Sequence, residues 1–123
     1  MEMNDLTGLV IEHSIDIHRK LGPGLFESVY EEVLHYKLTQ SGLRVQRKQE
    51  VPVIFEGKKM GIGFRADLIV EDALIVEIKS IEKLQPVHAK QLLTYMKLTH
   101  IPIGLLINFN EALLVEGIKR LRI

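Results

Sequence analysis

The stretch FRADLIVEDALIVEIKS, at residues 64 to 80, is rich in Leu, Ile and Val and predicts two buried strands, yet it carries Asp67, Glu77 and Lys79 inside those strands. A charged side chain in an apolar strand is costly to desolvate unless it pairs with another charge or binds a metal ion. Paired carboxylates can hold a hard divalent cation such as Mg²⁺, and a lysine beside them can orient a water or stabilise developing negative charge. The stretch is therefore a candidate site for metal-assisted hydrolysis.

The turn between two predicted strands decides whether these side chains meet. If residues 71 to 73 form the turn, Val70 pairs with Leu74, and Asp67 lies directly across from Glu77. A turn one residue shorter would move Asp67 to the apolar face, which its desolvation cost argues against. We therefore expect the three-residue turn and two adjacent carboxylates.

The same register places Arg65 across from Lys79. Each strand is then predicted to have one charged face and one purely apolar face. The apolar faces consist of Phe64, Ala66, Leu68 and Val70 on the first strand and of Leu74, Val76 and Ile78 on the second. A solvated polar face with cross-strand ion pairs is the alternative explanation of the charges, and spacing alone leaves it open.

Helical periodicity precedes these strands. One helix is predicted from about residue 5 to 21, ending at Gly22-Pro23-Gly24, and a second over residues 25 to 40. The apolar stripe of the second helix is predicted to consist of Phe26, Val29, Val33 and Leu34. The period then changes to two, which predicts an antiparallel meander of strands at 43 to 55, 59 to 70 and 74 to 80.

A third helix and a further strand follow the meander. Pro86 suits the first position of a helix that runs to about Thr99, and IPIGLLINF is typical of a strand buried on both faces. A right-handed crossover would make this strand parallel to its predecessor. The tail VEGIKRLRI is compatible with an edge strand or a short helix. The order predicts one mixed α+β domain over residues 1–123.

Composition limits the function classes. None of the 123 residues is cysteine, which excludes disulfides and thiolate zinc sites and suits a reducing cytoplasm. The N-terminal MEMNDLTGLVIEHSIDIHRKL carries charges that argue against a signal peptide or membrane span, so a cytoplasmic protein is expected. Sixteen basic and sixteen acidic residues balance, which argues against strong non-specific binding to nucleic acid.

The arrangement resembles the PD-(D/E)XK nuclease superfamily, in which Asp67 would be the first acid and EIK at 77 to 79 the (D/E)XK element. The core order of that superfamily, helix, three antiparallel strands, helix and strand, matches the order predicted here. The chain departs from the motif where RAD replaces the proline-aspartate pair. The resemblance implies a restriction-endonuclease-like fold and hydrolysis of nucleic acid with Mg²⁺ or Mn²⁺.

Two further motifs narrow the resemblance. GLFESVYE is similar to the G-x-x-E-x-x-Y signature of the GxxExxY branch through Gly24, Glu27 and Tyr30. QLLTY is similar to the Q-x-x-x-Y element of RecB-type nucleases through Gln91 and Tyr95. By resemblance, Glu27 would complete the metal site.

Each of these residues also has a structural explanation. Near a helix N-terminus, the negative charge of Glu27 would interact favourably with the helix dipole. Tyr30 would suit packing in the core with a hydrogen-bonded hydroxyl. Gln91 and Tyr95 share a helix face and could simply cover the sheet.

We therefore expect a metal-dependent nuclease in which Asp67 and Glu77 hold the metal and Lys79 assists the nucleophile, with Glu27 and Gln91 in support. The substrate could be DNA or RNA, and the sequence leaves open a homodimer or a targeting partner. The alternative is a non-catalytic module that keeps the fold and binds nucleic acid or protein.

Overall fold

The computed structural model describes all residues from 1 to 123 and consists of a five-stranded sheet covered by three helices. The helices are α1 (Met3–Leu21), α2 (Glu27–Gln40) and α3 (Pro86–Thr99). The strands are β1 (Val45–Phe55), β2 (Lys58–Val70), β3 (Leu74–Lys79), β4 (Ile103–Asn108) and β5 (Ile118–Arg122). This is the predicted α+β, restriction-endonuclease-like architecture.

The sheet order is β1-β2-β3-β4-β5. The first three strands form the predicted antiparallel meander, and β4 lies parallel to β3, as the crossover through α3 predicts. The tail resolves into both alternatives, a 3₁₀ helix at Leu114–Gly117 and then β5 as an antiparallel edge strand.

The two faces of the sheet are covered by different helices. On one face, α1 and α2 contribute the buried side chains Leu6, Val10, Ile17, Tyr30, Leu34 and Leu38 to the larger core. On the other face, Leu92 and Met96 of α3 pack against Val51, Ile69, Ile75 and Leu106. Because both faces are covered, every residue of β3 except Lys79 is buried. None of the helices combines the length and the hydropathy that crossing a bilayer requires.

Two predictions about apolar faces are wrong. Phe26 does not belong to the stripe of α2, since its side chain is 83% exposed and the helix buries Tyr30, Leu34 and Leu38 instead. A spacing of four residues keeps these three on one face, while Phe26 precedes the helix.

The second error concerns Ala66, which packs on the α3 side of the sheet, whereas Leu68 packs on the α1 and α2 side. Residues two apart in a regular strand share a face. Strand β2 therefore changes face at Asp67, and alternation could not predict this irregularity.

Candidate active site

The carboxylates of Asp67 and Glu77 lie together between β2 and β3. The two strands pair only over three positions, from Val70 opposite Leu74 to Leu68 opposite Val76, which confirms the predicted three-residue turn. At the next position, hydrogen bonds from backbone N–H groups to side-chain carboxylates replace the backbone hydrogen bonds of the ladder. The N–H of Ile78 donates to Oδ2 of Asp67 at 2.8 Å, and the N–H of Asp67 donates to Oε1 of Glu77 at 3.3 Å.

The pairing of Asp67 with β1, on its other side, is irregular as well. The ladder between β1 and β2 skips the pair formed by Lys48 and Asp67, and Lys48 has a left-handed φ of 53°. Non-glycine residues adopt this conformation at a cost, and within a strand it redirects the chain. Asp67 is thus released from regular pairing on both sides.

Lys48 and its neighbour Arg47 meet a buried acid of α2. Arg47 Nε lies 2.8 Å from Oε2 of Glu31, and Lys48 Nζ lies 3.9 Å from the same oxygen. Glu31 is 5% exposed, so these cations compensate its burial. The irregular part of β1 is therefore tied to α2 by charge.

Glu77 has a strongly perturbed acidity. Burial and, after it, the nearby charge of Asp67 raise the pKa of Glu77 to about 9, against the weaker opposing effects of the Asp67 N–H hydrogen bond and of Lys79. The Glu77 residue is 5% exposed, while Asp67 is half-buried. Two carboxylates in this position need a proton or a cation between them.

The oxygen donors of this pair fit a hard divalent cation, since Mg²⁺ takes one or two protein carboxylates and completes its shell with water and phosphate oxygens. No group of three or more histidine, aspartate or glutamate side chains is assembled to hold a metal. The structure thus brings together a two-carboxylate site.

Helix α3 brings an aromatic residue to the carboxylates. The ring of Tyr95 stacks on Phe64 with centroids 3.8 Å apart and planes 9° from parallel. Burial raises the pKa of the Tyr95 hydroxyl, and the charges of Glu77 and Asp67 raise it further, which places the phenol within their field. Gln91, one turn earlier on the same helix face, is exposed.

Lys79 and Arg65 lie at different places on the rim. Lys79, the last residue of β3, is half-buried and takes part in none of the ion pairs. Arg65 does not pair across from Lys79, because the β2–β3 ladder ends before it. Its guanidinium lies 3.6 Å from the carboxylate of Glu50 on β1, and both side chains are exposed.

Glu27 is the first residue of α2, and its side chain is exposed. It is not assembled with Asp67 and Glu77 into a group of three that could hold a metal. The start of α2 is nevertheless tied to the end of β3, since Ser80 Oγ donates to the Leu25 carbonyl at 2.5 Å.

Tyr30 has the structural role expected from its type. Its hydroxyl donates to the Gly22 carbonyl at 2.5 Å and accepts the N–H of Leu25 at 3.2 Å. Its fully buried ring stacks on Phe109 with centroids 4.5 Å apart. Tyr30 therefore fixes the loop that leads into α2 and contacts neither carboxylate of the site.

Sequence reasoning missed Phe64 as a site residue and assigned it only to an apolar face. It is the sole aromatic residue of β2 and lies three positions before Asp67, which is the signal that could have drawn attention to it. Glu31 was also missed, since nothing in the local pattern links it to Lys48, seventeen positions later.

The family comparison agrees with this geometry. A model of the PD-(D/E)XK nuclease superfamily matches residues 4–121, nearly the whole chain. No curated protein and no solved structure gives a significant match. The chain therefore belongs to the PD-(D/E)XK nuclease superfamily.

Proposed function

We propose that the chain acts as a single nuclease-like domain that hydrolyses phosphodiester bonds of nucleic acid with the help of Mg²⁺ or Mn²⁺. The observation that carries the proposal is the pairing of Asp67 with the buried Glu77, whose pKa is raised to about 9. A carboxyl group whose pKa is shifted by burial together with a neighbouring charge is typical of functional sites. Membership of a nuclease superfamily supports the same chemistry.

Asp67 and Glu77 would hold the ion, and Glu27 is proposed to contribute from the start of α2. When bound, the ion would supply a water nucleophile of lowered pKa and would offset charge on phosphate oxygens. Asp67 is held for this task by the N–H of Ile78, which donates to its Oδ2.

Lys79 is proposed to stabilise negative charge on the reacting phosphate. It is the last residue of β3, two residues after Glu77 on the same side of the strand, and it takes part in none of the ion pairs. A compact ammonium without an ion-pair partner can turn towards an anionic substrate. Gln91 and Tyr95 would contact the substrate from α3, while Arg65 would contribute from the rim.

The substrate class, the partners and the cellular location are proposed from the superfamily, the net charge and the composition of the chain. The substrate is nucleic acid, DNA or RNA, and a homodimer or a targeting partner would supply the affinity that a net charge of zero does not provide. We assign the chain to the GxxExxY branch through Gly24, Glu27 and Tyr30. A chain without cysteine suits work in the cytoplasm.

Metal binding is tested separately from cleavage. Calorimetry should detect Mn²⁺ binding to the wild type and markedly weaker binding to Asp67→Asn, while Asp72→Asn, an exposed surface control, should bind as the wild type does. Equal binding by wild type and Asp67→Asn would refute the assigned ligand.

Cleavage is tested on a panel of single-stranded, double-stranded and branched DNA and RNA. Wild type should cleave at least one substrate in the presence of Mg²⁺ or Mn²⁺, and Glu77→Ala and Lys79→Ala should each lose roughly 10²-fold or more. Lys97→Ala, on the exposed side of α3, is the matched control. Equal rates in all variants would indicate a contaminant, and binding without cleavage by wild type would favour a non-catalytic binding module.

A further inference from the structure

A buried amide holds the chain just beyond Lys79. Asn108 is fully buried, and its side-chain Nδ2 donates to the carbonyl of Ile81 at 3.0 Å. In return, the N–H of Ile81 donates to Oδ1 of Asn108 at 3.1 Å. The same oxygen accepts the N–H of Asn110 at 3.2 Å, so the amide uses both of its ends.

The side chain of Asn108 extends the pairing of β3 with β4 beyond the last residue of β3. Lys79 and Asn108 form the last register pair of the parallel β3–β4 ladder, and the N–H of Phe109 donates to the Lys79 carbonyl at 2.8 Å. Two reciprocal hydrogen bonds between an amide and the backbone of Ile81 reproduce what a further strand residue would make. The backbone of Lys79 is therefore fixed at its own carbonyl and again two residues later.

Close packing holds Asn108 in this orientation. A Cβ atom placed on the buried Gly117 would lie 2.6 Å from the Asn108 carbonyl oxygen and 3.2 Å from its Cβ. Real side chains do not approach so closely, so any larger residue at position 117 would displace Asn108 or the 3₁₀ helix. The absence of a side chain at Gly117 thus belongs to the same arrangement.

We infer that Asn108 is a positioning residue for Lys79, an assignment that rests on the proposed function of the site. Because Lys79 has no ion-pair partner, the position of its ammonium depends on the backbone from which the side chain projects. A polar residue this deeply buried costs free energy of folding unless it is fully paired, and an apolar residue would fill the volume. Its full pairing with the backbone of Ile81 and Asn110 fits a role in geometry.

The placement of Lys79 can be measured without any nuclease assay. Lysines are dimethylated with ¹³C-formaldehyde, and the Lys79 methyl signal is identified by its absence in Lys79→Arg. Asn108→Leu, which removes all three hydrogen bonds of the amide at similar volume, should shift or broaden this signal. Asn110→Ala is the matched control, because Asn110 bonds to Asn108 through its backbone N–H and not through its side chain. If Asn108→Leu does not fold, Gly117→Ala is used in its place.

The catalytic consequence is measured with a double-mutant cycle. Asn108→Leu should lower kcat by roughly 10- to 10²-fold with little change in KM, as expected for a displaced catalytic group. In a Lys79→Ala background the same change should cost less than about 2-fold, since the group to be positioned is gone. A merely structural residue would cost the same factor in both backgrounds.

The outcomes separate the two proposals. An unchanged Lys79 signal in Asn108→Leu, or equal losses of kcat in both backgrounds, would overturn the assignment of Asn108. If wild type cleaves no nucleic acid, the proposed function fails by itself, and the methyl signal still decides whether Asn108 positions Lys79.

Discussion

Replacing Glu77 by glutamine should stabilise the metal-free protein at neutral and alkaline pH. Burial and the neighbouring Asp67 raise the pKa of Glu77 from 4.5 to about 9, so the folded protein keeps a proton there that the unfolded chain releases. Glutamine resembles the protonated acid in shape and can still accept the N–H of Asp67. The substitution therefore removes the free-energy cost of taking up this proton on folding and retains the geometry.

The magnitude follows from proton linkage. Between pH 4.5 and about 9 the folded state binds one proton more than the unfolded state, so the free energy of unfolding of wild type falls by roughly 1.4 kcal/mol per pH unit. The stabilisation from Glu77 is complete below its unfolded pKa and is lost as the pH rises through its folded pKa. From pH 5 to pH 8 the advantage of Glu77→Gln over wild type should grow by about 4 kcal/mol.

Urea unfolding in EDTA at several pH values measures this difference. Glu82 is exposed and takes part in none of the ion pairs, so the stability of Glu82→Gln should run parallel to that of wild type at every pH. Added Mn²⁺ should raise the stability of wild type more than that of Glu77→Gln, because ligand binding stabilises only the state that binds. A difference between Glu77→Gln and wild type that does not change with pH would refute the reasoning.

Three further substitutions have defined outcomes. Gly63→Ala should lower the free energy of unfolding by about 1–3 kcal/mol in urea titrations, because its Cβ would collide with the carbonyl oxygen of Val51. Tyr30→Phe should lower it by about 1–2 kcal/mol, since the Gly22 carbonyl loses its donor, and a cost near zero would contradict that role. Lys79→Arg should recover only part of the cleavage lost in Lys79→Ala, because a planar guanidinium does not replace a compact ammonium, and full recovery would count against the assigned role.

The sequence predicts the fold well because its strongest signals are local. Pro86 marks the first residue of α3, and the helix ends at Thr99 as its apolar pattern indicates. The cost of moving Asp67 to an apolar face was enough to choose the three-residue turn, and that choice gave the observed pairing of Val70 with Leu74. The parallel direction of β4 follows from the handedness of the crossover.

Features that depend on distant partners could not be predicted. No glycine or asparagine marks the left-handed residue in β1, where Lys48 adopts that conformation beside the buried Glu31. The change of face at Asp67 could not be predicted either, because the alternation of side chains between two faces assumes a regular strand. Asn108 looks like one more residue of an apolar strand until its contacts with Ile81, twenty-seven positions earlier, are known.

The irregular sheet and the candidate site are one feature of the molecule. A regular ladder through Asp67 and Glu77 would engage their backbone groups across the strands and leave the carboxylates to repel each other. Here the strands separate, each carboxyl group accepts a backbone N–H in place of a ladder bond, and the two groups lie together within the field that acts on Tyr95. Lost strand pairing is thus partly compensated by these hydrogen bonds, and a bound cation would take the place of the proton that otherwise prevents repulsion between the two groups. A substitution that restored regular pairing at this point should therefore stabilise the sheet while weakening metal binding.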